Sequence, residues 1–129
     1  MTNKLSIIIP VLSEAGRLPQ LLAALQPYRQ RGHEILVVDG GSRDGCVMLA
    51  RPLVDRVLIS GPGRALQMNT AAESAANDIL LFLHADTHLP EDADLLVQAA
   101  LRPMGKIWGR FDIRLDNKRS IFRIIETTI

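Results

Sequence analysis

Histidine and carboxylate alternate at His84, Asp86 and His88. In an extended segment that spacing sets all three on one side, where imidazole and carboxylate can share a divalent cation. The competing reading is a surface turn in which Asp86 caps the helix beginning after Pro90. An Mg2+ or Mn2+ ion holding a pyrophosphate needs few protein ligands, since phosphate oxygens and water complete its octahedron, so Asp86 alone can suffice. Asp39 directly follows the apolar run Ile35-Leu36-Val37-Val38 and opens the turn Gly40-Gly41-Ser42-Arg43-Asp44-Gly45. A carboxylate held at the end of a rigid strand can accept hydrogen bonds from a base or ribose, or it can cap the turn that follows. A third polar loop runs from Pro10 through Val11, Leu12 and Ser13 to Glu14. Arg64, Gln67 and Asn69 sit about a turn apart at a helix start, a pattern that fits phosphate or sugar contact or a solvated polar face.

The elements that must position these groups alternate. Leu5 to Ile9 is a short β-branched run closed by Pro10, the pattern of a strand buried on both faces. Leu18, Leu21, Leu22 and Leu25 recur at three and four, predicting one helix from Glu14 to Arg29 that stops at Arg31-Gly32. Ile35 to Val38 is a second strand, Cys46 to Ala50 a short helix, and Val57 to Ile59 a third strand. Helix formers fill Arg64 to Ala76, Ile79 to Leu83 is a fourth strand, and a helix from about Glu91 to Leu101 should turn Leu95, Leu96 and Ala99 inward. Arg110 to Leu115 alternates as a fifth strand, and Ser120 to Ile125 reads as the start of an amphipathic helix. Alternating elements with short right-handed crossovers give an α/β fold around a parallel sheet, with ligands expected where loops leave the strand carboxyl ends.

Composition narrows the function classes. The 129 residues fit one domain, and 47% hydrophobic with 22% charged residues is ordinary for a globular chain. Fifteen Lys and Arg against 14 Asp and Glu leave +1, too balanced for the basic field of nucleic-acid binding. The single cysteine, Cys46, can form no internal disulfide and reads as a small buried hydrophobe; a reducing, cytoplasmic setting is the expectation. No apolar run approaches the roughly 20 residues that span a bilayer, and the first residues lack a signal-peptide cleavage site, so Met1 is expected to belong to the folded chain. Gly40-Gly41-x-x-x-Gly45 lacks the dinucleotide-binding glycine spacing, and no Gly-Lys-Ser/Thr follows it. His33 has no identifiable partner, and Trp108 is expected to pack rather than stack on a ligand.

Ser6-Ile7-Ile8-Ile9-Pro10-Val11-Leu12-Ser13-Glu14, Val37-Val38-Asp39-Gly40-Gly41-Ser42-Arg43-Asp44-Gly45 and Phe82-Leu83-His84-Ala85-Asp86-Thr87, in this order and spacing, strongly resemble the inverting family 2 glycosyltransferases of GT-A fold. Gly63-Arg64-Ala65-Leu66-Gln67-Met68-Asn69, the His-Ala-Asp triplet and Gly109 to Leu115 resemble the subgroup named selenodomain-associated transferase 2. The resemblance implies a Rossmann-type, mainly parallel sheet flanked by helices. It also implies a nucleotide-diphosphate sugar as donor, an unidentified acceptor, and Mg2+ or Mn2+ as cofactor. Pro10, Val11, Leu12, Glu14, Asp39, Gly41 and Ser42 would surround the nucleoside, with Arg64, Gln67 and Asn69 added to the nucleotide-binding set. Asp86 would hold the metal from the last position of the Asp-x-Asp motif, with His84 in place of the first aspartate.

Such transferases continue into an acceptor-binding half with an acidic general base, and no segment here matches it. The expectation is therefore a single donor-binding domain over 1–129, cut before the acceptor half, with no catalytic base assigned. It would work in the cytoplasm or at a membrane periphery, and self-associate through an uncovered C-terminal apolar face. Two other classes fit parts of the sequence: a non-catalytic nucleotide-binding or assembly module, and a sugar nucleotidyltransferase. The latter needs an early Gly-rich basic phosphate loop, for which Pro10 to Glu14 is the wrong chemistry.

Overall fold

Leu5–Val11 forms strand β1 with every residue buried, and Glu34–Asp39 forms β2 with all but its first residue buried. A strand can be apolar throughout only if both faces of its sheet are covered, and they are. A computed structural model describes residues 4–85, 89, 91–101, 110–115 and 120–126. Its remaining strands are β3 (Arg56–Ile59), β4 (Ile79–Phe82), β5 (Arg110–Leu115) and β6 (Ser120–Glu126), in the order β3-β2-β1-β4-β6-β5. The first four run parallel, with Ile8 registered against Leu36 on one side and Phe82 on the other. β6 and β5 are antiparallel additions at the β4 edge.

Side chains alternate across the sheet, so one strand feeds two cores. Leu5, Ile7, Ile9 and Val11 join Ile35, Val37, Leu81 and Leu83 on one face. There they meet Leu18, Leu21 and Leu22 of α1 (Leu18–Ala24), Tyr28 of α2 (Gln26–Gln30), Cys46 and Ala50 of α3 (Cys46–Ala50), and Ala93 and Val97 of α5 (Ala93–Leu101). Ile8, Leu36, Val38, Leu80 and Phe82 face the other way, against Met68, Ala71 and Ala72 of α4 (Arg64–Ser74). The result is a three-layer α/β fold of the expected class.

The structure corrects four expectations. The long helix over Glu14 to Arg29 is a turn followed by two short helices that meet at Leu25, because Pro27 enters the first turn of α2 and lacks the N–H needed to continue a helix. Ser120 to Ile125 is a strand: Ile121, Phe122, Ile124 and Ile125 are β-formers, and β6 is paired on both sides, with β4 and β5. The helical apolar face expected to drive self-association is therefore absent. Leu95 and Leu96 are 62% and 46% exposed rather than inward, while Ala93, Asp94 and Val97 are buried. Asp94 sets that rotation through its bonds to Arg31 and His33, at 2.9 and 2.8 Å. Finally, the fifth strand extends the sheet in antiparallel fashion.

Candidate functional site

Parallel strands deliver their βα loops to one end of the sheet. Val11 is registered against Asp39, and Leu83 N donates to Ile8 O at 2.9 Å, so the ends of β2, β1 and β4 lie side by side. The first loop and the start of the third, His84 and Ala85, meet across a cleft of about 310 Å3 lined by Pro10, Glu14, Arg17, Arg64, His84 and Ala85. The Asp39 to Asp44 turn supplies none of these lining residues, and residues 86–88 lie outside the described ones.

The first two loops are tied to each other. Ser13 N donates to Ser42 Oγ at 2.8 Å, and Ala15 N to Asp44 Oδ2 at 2.9 Å. Asp44 also accepts from Cys46 N at 3.2 Å, closing the turn into α3. These bonds, from Ala15 first, hold the Asp44 carboxyl below the usual carboxylate range. Ser13 is the one non-glycine residue at positive φ (55°) among the described residues, a conformation that persists only where neighbouring bonds enforce it. Gly41 and Gly45, at φ 116° and 80°, supply the bends that bring Ser42 and Asp44 into reach.

Asp39 is 5% exposed and caps its own turn, accepting from Gly41 N at 3.2 Å and from Ser42 N at 3.1 Å. A carboxylate offers about four acceptor positions, so the capping leaves capacity for another donor. Gln67 is equally buried; its amide donates to Val11 O and Val38 O, both at 2.9 Å, tying α4 to the ends of β1 and β2. Gly40 accommodates it: a Cβ there would lie 3.0 Å from the Gln67 amide.

Arg64, the first residue of α4, reaches over the carboxyl end of β4 to His84. Its Nη1 lies 2.5 Å from His84 Nδ1 and 3.1 Å from Nε2. Val11 is buried in β1, Leu12 is 52% exposed in the first loop, and Asn69 is exposed on α4. Asp86 and His88 lie outside the described residues, as does Trp108.

Arg17 and Asp44 are site residues that the motifs did not single out. Arg17 was signalled only by its place three residues after Glu14 in the same loop. Asp44 carried a clearer sign, an acidic residue two positions before a helix. Cys46 is the expected buried small residue.

Two arginines and one half-buried carboxylate make the cleft suited to an anion such as a diphosphate. Among the described residues no three His, Cys, Asp or Glu side chains converge on a metal position. The described donors alone do not fit a divalent cation, because His84 turns its ring nitrogens to a guanidinium and a second cation there meets charge repulsion. A metal would depend on Asp86. No helix among the described residues is long and apolar enough to cross a membrane.

Residues 6–127 match the family described as glycosyl transferase family 2. An undecaprenyl-phosphate 4-deoxy-4-formamido-L-arabinose transferase from Aeromonas hydrophila is 31% identical over 109 residues, 75% of this chain and 33% of that protein. A PGL/p-HBAD biosynthesis glycosyltransferase from Mycobacterium bovis is 33% identical over 126 residues, 88% of this chain and 49% of its own length. Among solved structures, a mannosyltransferase from Pyrobaculum calidifontis in complex with GDP-Man and Mn2+ superposes with a TM-score of 0.75 at 19% identity, covering 95% of this chain and 44% of that one. That likeness establishes the GT-A type of sheet. The chain spans between 30% and 49% of the length of the curated relatives it matches.

Proposed function

Because the chain belongs to glycosyl transferase family 2, we propose that the cleft is the donor half of a transfer site. It takes a nucleotide-diphosphate sugar together with a divalent cation, Mg2+ or Mn2+, and the sugar passes to an acceptor with inversion. The observation that carries this reading is a cleft at the ends of β1 and β4 with Arg17 and Arg64 on its wall, beside the Asp39 to Asp44 turn that Ser42 and Asp44 bond to the first loop. Pro10 to Leu12, Glu14, Asp39, Gly41 and Ser42 are assigned to the nucleoside, and Arg64 to the diphosphate. Gln67 is assigned to bracing the two strand ends. Asp86 is assigned to the cation, which when bound offsets charge on the departing diphosphate. The Mn2+ and GDP-Man held by the Pyrobaculum enzyme support this choice of ligands. The His-Ala-Asp triplet and the segment from Gly63 to Asn69 support placement in the selenodomain-associated subgroup.

Calorimetry on the purified chain with UDP and GDP, in EDTA and in Mn2+, tests the assignment. Asp39→Ala should weaken binding about tenfold or more in EDTA, since a charge-assisted hydrogen bond is lost. Asp86→Ala should instead leave the EDTA affinity alone and abolish the gain from Mn2+. Equal losses under both conditions in both folded variants would contradict the division of labour.

A further inference from the structure

We propose that His84 is the positioning residue of Arg64 rather than a metal ligand, and that Arg64 so held is a fixed cation that faces the donor diphosphate without any metal. The inference rests on the donor-site reading above. A guanidinium stays protonated at any ordinary pH and offers only donors, so the imidazole nitrogen facing it accepts. With Arg64 Nη1 2.5 Å from one ring nitrogen and 3.1 Å from the other, a cation bound to His84 would sit against the guanidinium.

The partner's charge matters as much as its position. A carboxylate at position 84 would fix Arg64 equally well and cancel its charge. The neutral face of an imidazole fixes the same group and leaves the charge intact. Among the described residues Arg64 makes no salt bridge. It lies at the first position of α4, an 11-residue helix whose N-terminal N–H groups add partial positive charge on the same side. Glu14 is the only carboxylate among the cleft's described lining residues, against Arg17 and Arg64. Among the described lining residues cationic side chains outnumber anionic ones, so Arg64 offers the donor phosphates a cation that needs no metal, and residue 84 sets how far that cation is available.

The test is a set of dissociation constants for UDP and GDP in EDTA and in Mn2+, for the chain and for His84→Gln, His84→Asp, Arg64→Ala and His84→Asp/Arg64→Ala. The unaltered chain should bind nucleoside diphosphate in EDTA. His84→Gln keeps a neutral acceptor and should stay within about threefold of it under both conditions. His84→Asp should lose about tenfold in EDTA and recover most of that loss in Mn2+, the scale of one charge-assisted contact. Arg64→Ala should lose about tenfold in EDTA, and the double variant should lose more than either single change, since the introduced carboxylate then faces the phosphates with no guanidinium to cancel it. Uridine and guanosine, which carry no phosphate, should bind all variants alike. The proposal is overturned if His84→Gln keeps its EDTA affinity and loses the Mn2+ gain, which would make His84 a ligand, or if His84→Asp binds as the parent does in EDTA. Absence of diphosphate binding by the unaltered chain under both conditions would remove the donor-site reading and this inference with it. Binding that persists while the variants fail to separate removes the inference alone.

Discussion

Two of the three histidines are described, and they sit in opposite settings. His84 is exposed at the cleft; His33 is 4% exposed at the amino ends of β1 and β2, the opposite end of the sheet. Leu5 N donates to His33 Nδ1 at 3.0 Å, so the proton of the neutral ring is on Nε2, which donates to Asp94 Oδ2 at 2.8 Å. Protonation would break the Leu5 bond in a buried position. Burial lowers the His33 pKa from its ordinary 6.5, with Asp94 acting the other way. Below about pH 6.5 the unfolded chain takes up a proton that the folded chain refuses, so the stability from this group is whole above that pH and falls as pH drops through it. For Asp94, burial pushes the carboxyl up, but hydrogen bonds from Arg31 and His33 outweigh it and hold it low; its contribution fades only below about pH 4. Urea unfolding between pH 7 and 5 should therefore show stability falling, and His33→Asn should flatten that slope while costing about 1–3 kcal/mol at pH 7. A slope unchanged in the variant would place the titrating group elsewhere. None of this was legible in the sequence, because Asp94 lies 61 residues from His33. Without that partner, Leu95 and Leu96 looked like the inward face of their helix.

At the scale of elements, the parallel strands were legible because continuous apolar runs such as Ile35 to Val38 admit few other homes. β6 was not: six residues of mixed period suit helix or strand, and its pairing with β4, more than 40 residues earlier in register, decided the matter. The Gln67 brace was hidden for the same reason, since its acceptors belong to two other strands. Gly40→Ala should cost about 1–2 kcal/mol by displacing the Gln67 amide from its two carbonyls. Gln67→Ala should cost about as much, and the double variant little more than either, because both act through one contact. Additive losses in thermal or urea unfolding would refute the coupling. The cross-loop bonds make a separate prediction. Ser42→Ala and Asp44→Ala should loosen the Ser13 to Ala15 segment and weaken nucleoside diphosphate binding about three- to tenfold, while leaving the urea midpoint nearly unchanged because both bonds lie at the exposed end of the sheet. Equal loss of midpoint and affinity would show instead that these bonds support the fold.

Across the whole molecule, the two cores and the binding end divide the sheet's work. Alternate residues of β1 and β2 fill opposite cores, while the polar groups are gathered where those strands stop. The sequence marked that end through Pro10 to Glu14, Asp39 to Asp44 and His84 to Asp86, yet left Arg17 unmarked and the capping bonds of Asp39 unresolved between two readings. If the end of the sheet is the donor site, a nucleoside diphosphate will disturb it and little else. Amide NMR of the labelled chain, titrated with UDP or GDP in EDTA, measures this directly. Shifts should concentrate at residues 10–17, 39–44, 63–67 and 84–86, with the amides around His33 and Asp94 unmoved. Shifts centred on the His33 and Asp94 side of the molecule, or no shifts at millimolar nucleotide, would contradict it.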